Sequence, residues 1–394
     1  MIPEQRIRFN AGFSQENYNT FLKNVAKDTC SIPFRLAETP VFIPRQLRLK
    51  LEAAGQELLS LIRRPDFKAL TERAIPEQWR VPDENEHPHF LAFDFAVCED
   101  EHGELIPQLI EMQGFPSLYG FQQHLADDYR QVYGIEDGLT HLFGGLDRDR
   151  YVALLRKVVV GDHLPEEVVL MDTKAQEQKT LVDFLVTQQL LGIGIVALEE
   201  IIKEGKKLFY VRGGRKIPIR RIYNRLIFDE IAANPHAFDA GFDPRLETDV
   251  EWITHPNWFY RISKFTMPFL KSSYVPETRF LHEISFLPPD LENYVLKPLF
   301  SFAGMGVQID VKAEDIQAID DPQNWILQRK VFYAPAVKSP AGDVKVEIRL
   351  LYLWPDGGEP QLCINLARLS RGKMIGVRYN QNFDWVGGTV AFME

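Results

Sequence analysis

The chain has 394 residues, of which 45% are hydrophobic and 25% are charged. That composition is typical of a folded protein and excludes long disorder. The chain is longer than a single compact core usually grows, so we expect several lobes around a cleft. The net charge of −10 disfavours nucleic acid and anionic lipid as partners. No apolar run could span a membrane, and three scattered cysteines predict neither disulfides nor zinc, so we expect a soluble cytoplasmic protein.

The first elements along the chain are a helix and a hairpin. Leucines at helical spacing predict one clear helix over residues 44–64. Two runs with strand composition, residues 90–98 and 105–112, flank the acidic turn EDEHGE and predict a β-hairpin. The stretch that follows, up to about residue 160, is expected to be mostly helical.

A small α/β domain is predicted next. Residues 168–172 and 193–198 have strand composition, and a leucine-rich helical pattern lies between them. The segment KLFYVRGGRKIPIRRIYNR then predicts a hairpin that turns at Gly213 and Gly214. Its last part, RIYNR at residues 221–225, is a candidate for holding an acidic substrate.

From about residue 249 onward, strands dominate. Five strands are predicted, at residues 294–298, 307–311, 325–331, 344–354 and 361–370. The helical segment AEDIQAI interrupts this series between the second and the third strand. The whole chain is therefore predicted to belong to the α/β class in the broad sense, of α+β type with antiparallel strands in its last part.

A glycine-rich loop follows the strand that ends at Lys297. The backbone N–H groups of Ser301, Gly304, Met305 and Gly306 could approach an anion such as a polyphosphate. A plain hairpin turn explains this segment alone equally well. The sequence lacks GxxxxGK[ST], and the loop lacks the βαβ context of a dinucleotide site, so both of those nucleotide motifs are excluded.

Other polar residues flank this loop in a definite order. Lys264 lies upstream at the start of a predicted amphipathic helix, and the strand with Gln328, Arg329, Lys330 and Val331 lies downstream. Two lysines can clamp phosphates, while a strand end can offer backbone groups to an adenine edge. Arg349 follows two residues after Glu347 on one strand face, and Arg368 lies on the next strand.

This ordered set resembles the nucleotide-binding lobes of the ATP-grasp superfamily. The resemblance implies that Lys264, Lys297, the glycine loop and the strand of Gln328 bind ATP. It also implies that Arg349 faces the γ-phosphate and that Arg368 meets an acyl-phosphate. Surface ion pairing is the alternative for the two arginines.

The predicted hairpin near residue 100 carries candidate metal ligands. Asp94 lies on its first strand, and Glu111 and Gln113 end the second on one face. Carboxylate and amide oxygens are the donors that Mg²⁺ selects. A solvated hairpin face is the alternative reading of these three residues.

In conventional ATP-grasp domains the metal strands follow the arginine strand, whereas here they precede the lysines. The order resembles the circularly permuted branch of glutathionylspermidine synthetases and eukaryotic glutathione synthetases. Residues 387–391, GGTVA, resemble the loop that closes over the site in that branch. Gln113 replaces the usual asparagine, which keeps the amide oxygen for the metal but lengthens its arm. Ala92 stands where glutathionylspermidine synthetases have a substrate-contacting arginine, so a glutathione-like substrate is not expected.

The resemblance also implies an organisation and an activity. The parts are an N-terminal segment at 1–89, a magnesium hairpin at 90–125, a substrate domain at 150–250 and ATP-grasp lobes at 255–394. The implied activity is an ATP-dependent and Mg²⁺-dependent carboxylate–amine ligase that joins a small acid to an amine through an acyl-phosphate. A nucleotide-binding pseudo-enzyme and a phosphotransferase acting on a small acid are the alternatives.

Overall fold

The computed structural model describes residues 1–228, 231, 242–300, 306–372, 375–376 and 380–394. Helices and strands are mixed along the chain, with antiparallel and parallel sheets, so the predicted class is confirmed. The described α-helices, numbered α1 to α9, are Pro3–Gly12, Gln15–Ala26, Arg45–Ile62, Phe67–Leu70, Tyr119–Tyr133, Arg148–Val159, Leu181–Leu191, Asn257–Arg261 and Ala313–Gln317. No helix in these ranges is long and apolar enough to cross a membrane.

Eighteen strands are described, and they form five sheets within the ranges given above. They are β1 to β18 in chain order: Val41–Ile43, Phe90–Glu99, Leu105–Gln113, Val168–Asp172, Gly194–Ala197, Ile202–Glu204, Lys207–Arg212, Arg215–Ile219, Arg221–Asn224, Glu251–Ile253, Thr278–Phe280, Tyr294–Pro298, Trp325–Arg329, Val337–Ser339, Gly342–Leu353, Gln361–Ser370, Gly387–Thr389 and Ala391–Met393.

The largest sheet joins the predicted hairpin to strands near the other end of the sequence. Its order is β17-β16-β15-β2-β3, with β14 also paired to β15, and all pairs are antiparallel. One face is apolar, with residues such as Phe93, Phe95 and Leu350 packed against Leu51 and Leu58 of α3. Because side chains alternate along a strand, the charged residues of β2 and β15 lie on the other face.

That second face is divided into an apolar part and a polar part. Ala92 and Leu351 pack in one cluster with Tyr119 of α5 and Tyr151 of α6. Further along the same strands the face carries Asp94 and its charged neighbours instead. The helices therefore cover one end of this face, and the polar end becomes the wall of a site.

A smaller antiparallel sheet of order β11-β13-β12 carries Lys297 near the end of β12. The helix predicted to start at Lys264 is a short 3₁₀ segment, Lys264–Phe269, with Pro268 inside it. The predicted strand at 307–311 was wrong, since only Gln308 pairs there, in a single bridge to Leu296. One bridged residue supplies too few ladder bonds for a strand.

The predicted strand–helix–strand unit is confirmed as β4, α7 and β5, which belong to a parallel sheet of order β10-β9-β4-β5. The predicted hairpin is β7 and β8, to which β6 adds a third strand. Residues Arg221–Asn224 do not extend that hairpin. They form β9 beside β4, because the backbone of Arg220 already bonds to Glu167 and turns the chain into the parallel sheet.

Two regions near the ends of the sequence differ from prediction. Helices α1 and α2 were not predicted, although Ser14 caps α2 by accepting a bond from the backbone N–H of Asn17. The segment expected to be a closing loop consists of strands β17 and β18 instead. Gly387 has φ +127° and lies so close to Arg35 that a Cβ would be 2.4 Å from its carbonyl oxygen, so the segment is packed.

Candidate functional site

The polar end of the large sheet is a row of alternating charges. Strand register places Arg349 opposite Asp94, Asp94 opposite Glu111, and Glu347 opposite Arg368. Residues directly opposite on neighbouring strands lie on the same face, about 4.5–5.5 Å apart at Cβ. Five ionisable side chains from four strands therefore converge, and they include Asp94, Glu111, Arg349 and Arg368 from the sequence-predicted set.

Asp94 is the centre of this cluster. It is only 1% exposed, and Arg349 donates to both of its oxygens through Nε and Nη2, the Nη2–Oδ2 distance being 2.6 Å. Arg368 Nη2 donates to Oδ2 at 2.8 Å. Burial alone would raise the pKa of Asp94, but the two guanidinium groups outweigh it and hold the pKa below its ordinary value. Asp94 is therefore an ionised anchor for two arginines.

Glu347 is the second buried carboxylate. Arg368 Nη2 also donates to Glu347 Oε1, and the Tyr333 hydroxyl donates to Oε2 at 2.9 Å. Burial raises the pKa of Glu347, and the negative charges of Asp94 and Glu111 add to this effect. Glu347 was predicted only as a neighbour of Arg349 on one strand face, and Tyr333 was not predicted, because no local pattern marks it.

The three predicted metal ligands do not form a ready metal site in this arrangement. Both oxygens of Asp94 accept bonds from arginines. Gln113 Nε2 donates to Glu111 Oε1 at 2.9 Å, so the amide presents its nitrogen there rather than its oxygen. Within the described ranges, no group of three or more His, Cys, Asp or Glu side chains is placed so that it could hold a metal ion. This donor set therefore does not fit Mg²⁺ as it stands.

Lys297 links the small sheet to the large one. Its Nζ donates to Gln328 Oε1 and to the carbonyl oxygen of Ile110, at 3.3 Å for the latter. Ile110 is the extra residue of a β-bulge in β3, between the pairs Asp94–Glu111 and Phe95–Leu109. The bulge thus lets a carbonyl of the large sheet meet a lysine of the small one.

The charge state of Lys297 is sensitive to its surroundings. Burial lowers its pKa to about 8; the charge of Glu111 opposes this shift and that of Lys264 adds to it. Lys264 and Lys297 are 6% and 8% exposed. Because the charges of Lys264, Glu111 and Glu347 all act on Lys297, the two predicted phosphate-binding lysines lie near each other and beside the carboxylates of the large sheet.

Of the other predicted nucleotide-binding residues, Gln328 and Gly306 are described by the structure, whereas most of the glycine loop is not. Gln328 contacts Lys297, and Gly306 has φ +71° with an added Cβ only 2.9 Å from Pro298 Cγ, so this position favours glycine. Ser301, Gly304 and Met305 lie outside the described residues.

The end of β13 faces away from the lysines. Arg329 Nη1 contacts the Tyr294 hydroxyl at 3.2 Å, and Lys330 Nζ donates to the carbonyl of Glu292. Their backbone N–H groups bond to Glu277 and Asn293. The structure therefore does not bring the Arg329 and Lys330 side chains to the lysine pair, and Val331 follows them as a half-buried residue.

The arginines of RIYNR are tied to other elements. Arg221 donates to Asp356, in the turn between β15 and β16. Arg225 donates to the carbonyl of Pro116 and lies over the ring of Phe115, 5.3 Å from its centroid. Both side chains are almost fully buried. They hold the parallel sheet against the large sheet and the segment after β3.

Comparison with known proteins identifies a fold relative. No family model matches the chain, and no curated protein matches it in sequence. Among solved structures it is similar to a glutathione synthetase-like effector from Globodera pallida in its apo form, with a TM-score of 0.58, 11% identity and 96% of each chain covered. At that identity the likeness concerns fold alone. The chain therefore has a fold similar to that of a glutathione synthetase-like protein.

Proposed function

We propose that the chain is an ATP-dependent carboxylate–amine ligase of ATP-grasp type in circularly permuted form. The observation that carries the proposal is the convergence of two lysines of one lobe with two arginines on the facing strands of the large sheet. Lys297 reaches the carbonyl of Ile110 in that sheet, next to Glu111 and the Asp94 cluster. Four cationic side chains around one cleft suit a polyphosphate.

The two lysines are proposed to bind the phosphates of ATP. Each is less than one-tenth exposed, and a buried ammonium group interacts with a phosphate more strongly than an exposed one. Gln328 orients Lys297 through its side-chain oxygen. The glycine loop is proposed to cover the phosphates from the side of Gly306.

The reaction would proceed in two balanced steps. A carboxylate oxygen of the acid attacks the γ-phosphorus, so that an acyl-phosphate forms and ADP leaves. The amine nitrogen then attacks the acyl carbon, forming the amide and releasing phosphate and a proton. Arg349 and Arg368 would stabilise negative charge on the transferring group and on the tetrahedral intermediate. Mg²⁺ remains part of the proposal as the partner of ATP.

The acid and the amine are proposed to bind beside the parallel sheet. The chain moves from β4 to β5 on one side and later to β9 on the other, so the order reverses between β4 and β9. Ligands of open α/β sheets bind at the carboxyl ends of strands at such a point. Asp172 and Asn224 end these two strands.

A nucleotide-binding protein without turnover is the second candidate. It is favoured by the observation that Asp94 binds arginines through both oxygens. Release of ADP and of phosphate separates the candidates. We expect both products only when a suitable acid and amine are present together, in a screen of amino acids, peptides and polyamines. ADP without free phosphate would identify a phosphotransferase, and Mg·ATP binding without any turnover would identify the pseudo-enzyme.

A further inference from the structure

We propose that the outer face of the β6-β7-β8 sheet is a docking surface for an acidic amphipathic helix of a partner protein. This sheet contains the hairpin KLFYVRGGRKIPI, to which the proposed ligase function gives no role. The inference therefore goes beyond the proposed function and does not rest on it. It is drawn from an apolar row on that face, from the cations around the row and from the charge of the rest of the chain.

The sheet has one face in the core and one face directed away from it. Its inner face supplies Leu208, Tyr210, Ile217 and Ile219 to a hydrophobic cluster that also contains Ile222 of the parallel sheet. Side chains alternate between the two faces along a strand. The neighbours of these four residues along β7 and β8 therefore point to the outer face.

An apolar row crosses the outer face. The register places Ile202 of β6 opposite Phe209 of β7, and Phe209 opposite Pro218 of β8. Residues paired in this way lie side by side on one face, and Val211, two residues beyond Phe209, lies on the same face. Ile202 and Val211 are 38% and 57% exposed, while Phe209 and Pro218 are half-buried. Covering this row with another apolar element would remove exposed hydrophobic surface from water.

The sheet is strongly basic although the chain is acidic. Residues 202–219 contain six lysines and arginines and a single acidic residue, Glu204, whereas the whole chain has a net charge of −10. Glu204 is already paired with Lys216. The Nζ of Lys216 also lies 4.3 Å from the centroid of the Phe209 ring, so a cation borders the apolar row directly.

The tip of the hairpin carries two arginines that lack counter-ions. Arg212 and Arg215 lie opposite each other across the turn at Gly213 and Gly214, and all four residues are exposed. Neither arginine forms an ion pair with another residue in the described ranges. Like charges that face each other directly across two strands repel. An anionic group bound between them would relieve that repulsion.

These features together favour one kind of partner. An apolar row bordered by cations is complementary to a helix whose apolar stripe is flanked by acidic side chains. An extended anionic surface, such as a membrane or a nucleic acid, would also face the rest of the chain, whose net charge of −10 repels it. Addition of a strand at the β8 edge is disfavoured, because Pro218 has no N–H to donate.

Fluorescence anisotropy of a labelled synthetic peptide, titrated with the full chain, tests this surface. The probe is a peptide of about 16 residues with leucines at helical spacing and glutamates on both sides of the leucine stripe. A scrambled peptide of the same composition keeps the charge and loses the stripe. We expect the amphipathic peptide to bind at least about ten-fold more tightly than the scrambled one. Equal affinities, or no binding of either peptide, overturns the proposal.

Exposed substitutions locate the binding on the sheet without disturbing its core. The double variant Arg212→Glu and Arg215→Glu should weaken binding of the amphipathic peptide at least about ten-fold, and Val211→Asn at least about five-fold. Lys23→Glu together with Lys27→Glu is the matched control, because both lysines are exposed and belong to α2 and its C-terminal cap. We expect the control to weaken binding by less than about two-fold. An equal loss in the control, or no loss in the arginine variant, overturns the proposal.

Vesicles of phosphatidylcholine with and without phosphatidylserine distinguish a protein partner from a membrane. We expect the full chain to remain unbound to both in a sedimentation assay at the protein concentration that saturates the peptide. Binding to the phosphatidylserine vesicles that is lost in the arginine variant would overturn the assignment of a helical partner.

Discussion

Replacement of Asp94 by asparagine distinguishes two roles of this carboxylate. It either anchors the two arginines through ion pairs or is kept in place for a metal ion. Asp94 is 1% exposed and accepts three bonds from Arg349 and Arg368. The amide keeps one acceptor oxygen and loses the charge, so the buried guanidinium of Arg349 loses its two-point ion pair and keeps only Glu111, 4.0 Å away, as a counter-ion. Breaking a buried ion pair from one side costs about 3–5 kcal/mol. We expect Asp94→Asn to lower the free energy of unfolding by that amount.

Chemical denaturation followed by circular dichroism and tryptophan fluorescence measures this loss. Glu99→Gln is the matched control, because Glu99 ends the same strand and is exposed. Its effect should stay within about 0.5 kcal/mol. If Asp94 were mainly repelled by Glu111 and Glu347, as in a cluster kept for a metal, asparagine would relieve that repulsion. An Asp94→Asn protein as stable as wild type, or more stable, would refute the reasoning.

Three further predictions concern Lys297, two buried histidines and Gly114. Nucleotide affinity should fall as pH rises through about 8, where free Lys297 loses its proton, and isothermal titration should show Lys297→Arg free of this dependence. Burial lowers the pKa of His141 to about 3 and of His255 to about 4. Between those pH values and about 6.5, each histidine side chain is protonated only in the unfolded chain. The free energy of unfolding should therefore fall as the pH drops below about 6.5, by up to about 1.4 kcal/mol per pH unit for each histidine. Denaturation curves measured at several pH values should show a smaller pH dependence for His141→Gln. Gly114→Ala should cost about 1–3 kcal/mol in the same assay, because its Cβ would lie 2.5 Å from the carbonyl oxygen of Trp258.

Local sequence patterns predicted most elements that carry the site. The helix at 44–64, the hairpin near residue 100 and the strands of Lys297, Arg349 and Arg368 all have strong alternation or helical spacing, and the structure contains each of them. Helix α1 was missed because its polar composition gives little helical periodicity, whereas the Ser14 cap of α2 was a signal that could have been used.

The contacts within the site could not be predicted in the same way. The pairing of Asp94 with Arg349 depends on the register between β2 and β15, which are distant in sequence. No local pattern specifies that register. The sequence assigned Asp94 to a metal and Arg349 to a phosphate, while the structure pairs them with each other. Tyr333, between β13 and β14, and the bulge at Ile110 were missed for the same reason, since each contacts a strand that it meets only in the folded chain.

Calorimetric titration of the full chain with Mg·ATP tests the central proposal most directly. We expect saturable binding at one site, and Lys297→Met should weaken it at least ten-fold because a buried cation is lost from the cleft. Arg329→Met should leave the affinity unchanged, since Arg329 contacts Tyr294 and Asp290 away from the lysines. Failure of wild-type protein to bind Mg·ATP, or equal affinities for wild type and Lys297→Met, would contradict an ATP-dependent ligase site at this cleft.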